Sequence, residues 1–176
     1  MKERSAKSIL ATRKWTKLLG WAVGGVLLVF IVIGIFISRE PDIFWVSRSA
    51  DSDAVIVGVS TTDTLIRVAE TLLDKRGGYL TNDKMPPSVF LDNIPSWELG
   101  VLTQVRDLGR VMRDDYTRSQ SQSKEDEDVA DGAPQFFFDN DSWIFPATES
   151  EYRNGIESFS NYRQRLIDGD PDTQFY

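Results

Sequence analysis

The sequence predicts a mainly α-helical protein: one N-terminal transmembrane helix, then an α-helical domain beyond the membrane carrying a candidate small β-hairpin. Three observations predict it. Leu18 to Ile37 is a run of twenty residues without a charge, set behind a basic N-terminus. Beyond it, apolar residues recur at the three- and four-residue spacing of a helix. Near the C-terminal end, "QFFFDNDSWIFP" places two aromatic runs on either side of a polar four-residue turn, Asp139 to Ser142.

Residues 1–17 form a basic N-terminus, with Lys2, Arg4, Lys7, Arg13, Lys14 and Lys17 against Glu3, a balance of +5. Residues 18–38 are the anchor, whose apolar length at about 1.5 Å per residue spans roughly 30 Å of hydrocarbon. A cleaved signal peptide has an apolar region of only about 7–15 residues and a small-residue cleavage site, whereas this run is longer and leaves through "FISREPD". A retained anchor is therefore expected. From Ser38 onward fourteen basic residues face twenty-six acidic ones, a balance of −12. The positive-inside rule places the N-terminus in the cytoplasm and the acidic remainder across the membrane, which in a bacterium is the periplasm. Gly20 and Gly24, with Gly25 beside them, have the spacing that lets a second membrane helix approach, a route to a homo-oligomer.

Residues 39–60 read as a stalk: Pro41 stops the helix, and "AVIVGV" suits a strand or an extended lead-in. Residues 61–118 read as a helical hairpin-like region. In its first helix Thr61 or Thr62 is the expected cap, Leu65, Val68, Ala69, Leu72 and Leu73 share a face, and Gly77 is the expected stop. In the second, Pro95 and Ser96 open the helix, and Val101, Leu102, Val105, Leu108, Gly109, Met112 and Tyr116 form the buried side. The connector "DKRGGYLTNDKMPP" lacks the G-K-[ST] of a phosphate loop, and its glycines follow a helix instead of preceding one. It reads as a turn, with Met85, Pro86 and Pro87 as a candidate partner surface. Arg106, Arg110 and Arg113 form a stripe that either contacts an anion or partner or is neutralised by Asp107, Asp114 and Asp115.

Residues 119–134, "SQSQSKEDEDVADGAP", are poor in apolar side chains and are expected to form a mobile acidic loop. Residues 135–176 hold the aromatic hairpin and a C-terminal helix with Tyr152, Ile156, Phe159, Tyr162, Leu166 and Ile167 on its apolar side, ending at Gly169. Trp143 is the hairpin's candidate partner contact. Phe175 and Tyr176 read as the start of another packed element, so the chain reads as a piece of a longer protein.

With no cysteine and no histidine, thiolate nucleophiles, imidazole bases and Cys/His metal sites are absent. Asp168, Asp170 and Asp172 alternate like a calcium loop but lack its glycine, so no metal, cofactor or catalytic set is assigned. The remaining catalytic option is a pair of carboxylates across a glycan-binding cleft, drawn from Asp92, Glu98, Asp139 and Asp141 near Trp97 and Trp143. A lipid or ligand sensor using the arginine stripe is a further alternative. Nucleic acid is not an expected partner for a domain at −12, because phosphate binding demands the opposite sign.

The stretch from Thr61 to Ser123, with "GGYLTND", "MPP", "LDN" and "SQSQS", resembles a family of uncharacterised proteobacterial inner-membrane proteins catalogued as a domain of unknown function. The resemblance implies a single-pass inner-membrane location, a chain continuing past residue 176, and no assigned activity. Taken together, these features lead to the expectation of a non-enzymatic accessory or scaffolding subunit of an envelope complex, in contact with membrane lipids and with other membrane or periplasmic proteins.

Overall fold

The computed structural model describes residues 2–46, 56–118 and 124–176, with side chains from residue 14 onward. Among these residues the secondary structure is helical throughout, with no strand: α1 (Lys2–Ile37), α2 (Val59–Asp74), α3 (Asn93–Val111), α4 (Glu127–Gln135) and α5 (Thr148–Asp168). A single 3-10 turn, Ser88–Phe90, precedes α3, and a wide π turn, Met112–Tyr116, extends it. Residues 47–55 of the expected stalk, and the first five residues of the expected acidic loop, lie outside the described residues.

Helix α1 contains a stretch long and apolar enough to cross a membrane, Lys14–Ile37. Its side chains are exposed along almost all of that length, with Gly34 and Ile37 buried near its end. The other four helices pack into one core. Helix α5 lies against α2 and α4, and α3 closes the remaining sides against both of these. The stripes that periodicity assigns to the core are the ones that meet: Leu65, Ala69 and Leu72 from α2, Leu102 and Val105 from α3, and Tyr152, Phe159 and Tyr162 from α5 are all buried. Phe136 sits between Tyr152 and Phe159, with ring centroids 6.2 and 5.9 Å apart.

Two glycines set the closeness of α4 and α5. A Cβ on Gly132 would stand 2.7 Å from Ser158 Cβ and 3.2 Å from the Gly155 carbonyl. One on Gly155 would stand 3.1 Å from the Gly132 carbonyl. The two backbones approach so closely that any side chain at either position must push them apart.

Local boundaries depart from expectation for identifiable reasons. Helix α2 starts at Val59, before Thr61, because Gly58 turns the chain at φ 88°. Thr62 bonds back to the Gly58 carbonyl at 2.9 Å instead of capping. Helix α3 begins at Asn93, so Pro95 falls within its first turn, where a missing N–H costs nothing. The expected loop 119–134 is helical from Glu127, because Asp126 caps the segment by accepting from the amides of Asp128 and Val129. Val129, Gly132 and Ala133 are then buried, a face too small to register as periodic.

The aromatic hairpin does not form, and this corrects the predicted fold. Phe136 caps α4, and the carbonyls of Phe136 and Phe138, which a hairpin would pair across strands, are taken by Arg106 at 2.6 and 3.0 Å. The chain from Asp139 to Ala147 is instead an irregular loop held by side chains. Thr148 Oγ1 donates to the Asp139 carbonyl at 2.7 Å, Ser142 Oγ to the Pro146 carbonyl at 2.8 Å, and Asn82 Nδ2 to the Ser142 carbonyl at 3.0 Å. At the C-terminal end, Phe175 packs over Gly58 and stacks on Tyr116 at 5.0 Å.

Candidate functional site

The connector between α2 and α3 joins the helical domain to the end of α1, and a buried charge pair organises it. Helix α2 stops at Asp74, and Lys75 turns back so that its ammonium donates to the Leu72 carbonyl at 3.1 Å and to that of Gly78. Gly77 and Gly78 both adopt positive φ, 85° and 73°, which reverses the chain within two residues. The reversal aims the amides of Leu80 and Thr81 at Glu98, in the second turn of α3.

Glu98 is fully buried, and its carboxylate is saturated. Oε1 accepts from the Leu80 amide at 2.8 Å and from the Lys75 ammonium; Oε2 accepts from the Thr81 amide at 2.7 Å and the Thr81 hydroxyl at 2.5 Å. The Lys75 side chain is equally sealed, at 2% exposure. Burial pushes its pKa below the usual 10.5, while the hydrogen bond and charge of Glu98 act in the opposite direction. Chemically, the pair is a closed latch. The carboxylate has no free lone pair directed at solvent, and its donors lie on the connector it holds.

The latch presents the connector to α1. Ile37 is buried with Leu80 and Ile94 and fits over Gly77, where a Cβ would come within 2.9 Å of Ile37 Cγ2. Asn93 and Ser38 hydrogen-bond to each other, with Asn93 Nδ2 donating to Ser38 Oγ at 2.9 Å. Arg76 lies over the Phe36 ring at 5.8 Å and Arg67 over Phe44 at 4.9 Å. The domain is therefore seated on the end of its own long helix.

The residues singled out by sequence are divided between this junction and elsewhere. Pro86 and Pro87 lie along α1, with Pro87 against Gly34, and Met85 is 60% exposed. Trp143 stands on the pinned 139–147 loop with Ile144 and Phe145, at 55%, 65% and 98% exposure. Gly20, Gly24 and Gly25 have no atom within 4 Å of an added Cβ, so this face of α1 is open.

Each arginine of the stripe has a contact within the domain. Arg106 is the clamp on α4 described above, Arg110 lies over the Phe137 ring at 4.9 Å, and Arg113 pairs with Asp114 at 2.8 Å. That hydrogen bond raises the pKa of Arg113 and lowers that of Asp114. Of the candidate carboxylates, Glu98 is sealed, while Asp92, Asp139 and Asp141 are exposed. Asp139 makes a local turn with the Asp141 amide, and Asp141 lies 3.7 Å from Lys84. These three are not gathered with Glu98 around a common cleft.

Sequence reasoning missed the latch and a second charged centre, Arg165, which donates to Asp126 at 2.7 Å and Asp128 at 2.8 Å and so ties the start of α4 to the end of α5. A trace of the latch was present: Glu98 lies four residues after Ile94 and four before Leu102, on the buried stripe of α3. An acid in that register needs a buried partner.

No curated protein and no solved structure matches the chain. A family model described as "Uncharacterized protein conserved in bacteria (DUF2333)" matches residues 10–176, which takes in the apolar helix, the latch and all four domain helices. The protein belongs to this family.

Proposed function

We propose that the protein is a single-pass accessory or scaffolding subunit of a bacterial envelope complex. In this reading α1 is a retained inner-membrane anchor with a cytoplasmic N-terminus, the helical domain lies in the periplasm, and the protein acts by binding rather than by catalysis. Retention is supported by the seating of Ile37 and Ser38: cleavage at the end of the apolar stretch would unmake the Ile37, Leu80, Ile94 cluster and the Ser38 and Asn93 bonds.

The observation that carries the binding role is the Trp143, Ile144, Phe145 triad. Three large apolar side chains stand more than half exposed on a loop that polar side chains hold in place. A rigid apolar projection of this kind suits a protein partner, where aromatic anchors carry most of the binding energy. The open Gly20, Gly24, Gly25 face supplies a second, intramembrane route to partners or to another copy.

The test is mild detergent extraction from native membranes of the wild type and of the Trp143→Ala, Ile144→Ala, Phe145→Ala variant, followed by native sizing and mass spectrometry. The expected outcome is a larger assembly with the wild type that is lost in the variant while its melting temperature is unchanged. A wild type that migrates as a monomer or a bare homo-oligomer would overturn the reading.

A further inference from the structure

Between Lys84 and Asp92 the connector carries seven consecutive uncharged residues, Met85 to Leu91. This segment runs beside α1. Pro87 touches Gly34, and a groove of about 390 Å³ between the two elements is walled by Leu27, Phe30, Ile31, Pro87 and Phe90. Counted back from Ile37, Gly34 lies three residues and Leu27 ten residues inside the apolar stretch, about 4.5 and 15 Å at 1.5 Å per residue. A hydrocarbon core is about 30 Å thick, so the groove occupies the half of it nearest the domain. Phe90 and Val89 turn outward from the protein at 80% and 51% exposure.

We propose that Met85 to Leu91 is a second, shallow membrane insertion: the loop is embedded in the leaflet on the domain's side, and lipid acyl chains fill the groove between it and α1. This rests on the reading of α1 as a retained anchor. Backbone can enter hydrocarbon only where its polar groups are already paired. Here Pro86 and Pro87 have no N–H. The Met85 amide donates to Asp83 Oδ1 at 3.0 Å, and those of Val89, Phe90 and Leu91 donate to the carbonyls of Met85, Pro87 and Ser88 at 3.3, 3.0 and 2.9 Å. Of the loop's backbone donors, four amides are thus paired within the turn and two prolines have none to pair.

Lipid is the occupant because the groove's far wall is the span itself. The depth of Leu27, Phe30 and Ile31 is set by the bilayer, and whatever covers them meets acyl chains. Asp83, Lys84 and Asp92 bracket the uncharged run at the headgroup level. Inserted at two places, the domain cannot swivel about α1 and presents its surface at one fixed orientation to the membrane plane.

The chain has no cysteine, so single labels report without background. Phe90→Cys, Val89→Cys, Val29→Cys and Glu157→Cys, each in the full chain, would carry an environment-sensitive fluorophore in phosphatidylethanolamine and phosphatidylglycerol vesicles. Quenching is read with aqueous iodide and with nitroxide on the lipid acyl chains. The expected result is a several-fold loss of iodide quenching at positions 29, 89 and 90 relative to 157, with nitroxide quenching at the same three. Position 29 protected while 89 and 90 respond to iodide like 157 would overturn the insertion. So would shielding of 89 and 90 from both quenchers, since a second protein copy and not lipid would then cover them. Iodide access at position 29 would instead sink the anchor reading and the inference with it.

Discussion

Replacing Glu98 by alanine tests whether the latch holds the connector closed. The substitution leaves the Lys75 ammonium, 2% exposed, without its counter-charge, and removes the acceptor of the Leu80 and Thr81 amides. Breaking a buried ion pair from one side costs about 3–5 kcal/mol, with each stranded buried donor in the range of about 1–3 kcal/mol. A loss of about 4 kcal/mol or more is expected, a fall of roughly 10 °C in melting temperature for a chain of this size. Lys75→Met should cost less, about 2 kcal/mol, because Glu98 keeps three of its four donors. In the double variant Lys75→Met, Glu98→Leu the losses should fall short of additive by about 1–3 kcal/mol. The assay is urea unfolding in detergent micelles followed by tryptophan fluorescence. A loss below about 1 kcal/mol for Glu98→Ala, the scale of a surface pair, would refute the desolvated latch. A Lys75→Met loss equal to or larger than that of Glu98→Ala would refute the claim that the connector's own amides are what the carboxylate holds.

Two further outcomes follow from the same geometry. Gly77→Ala and Gly78→Ala both force a side chain into positive φ, but only Gly77 faces Ile37 at under 3 Å. Gly77→Ala should therefore destabilise by about 1–3 kcal/mol more in the same unfolding assay, and equal losses would mean that Ile37 does not seat there. At alkaline pH, burial raises the phenol pKa of Tyr79, Tyr152 and Tyr162 above the usual 10.0. The folded chain then keeps protons that the unfolded chain releases, so their contribution is complete below pH 10 and is lost as pH rises above it, by up to about 1.4 kcal/mol per pH unit for each phenol. The lowered pKa of Lys75 acts with the opposite sign and only below 10.5. Melting temperature against pH, paired with phenolate absorbance, should show a steep fall beyond this range, and these phenols ionising near pH 10 in the still-folded protein would refute it.

The apolar span and the domain helices were legible because their cause is local. Twenty uncharged residues meet a membrane's thickness whatever else the chain does, and the stripes Leu65 to Leu72, Leu102 to Met112 and Tyr152 to Leu166 bury themselves at the spacing they display. What the tertiary structure decided is where long side chains spend their hydrogen bonds. Phe136 to Phe145 carries the composition of a hairpin, yet Arg106, thirty residues earlier, takes the carbonyls that would have formed the ladder. Glu98 and Lys75 stand 23 positions apart, and nothing local pairs them until the two glycines bring them together. Likewise the prolines of the connector read from sequence as part of a turn and a candidate partner surface, and only the position of Pro87 beside Gly34 places them against α1. Periodicity records which face of an element is apolar. It holds no record of which distant polar group will satisfy a buried charge or carbonyl, because that choice is made by the packing of the whole chain.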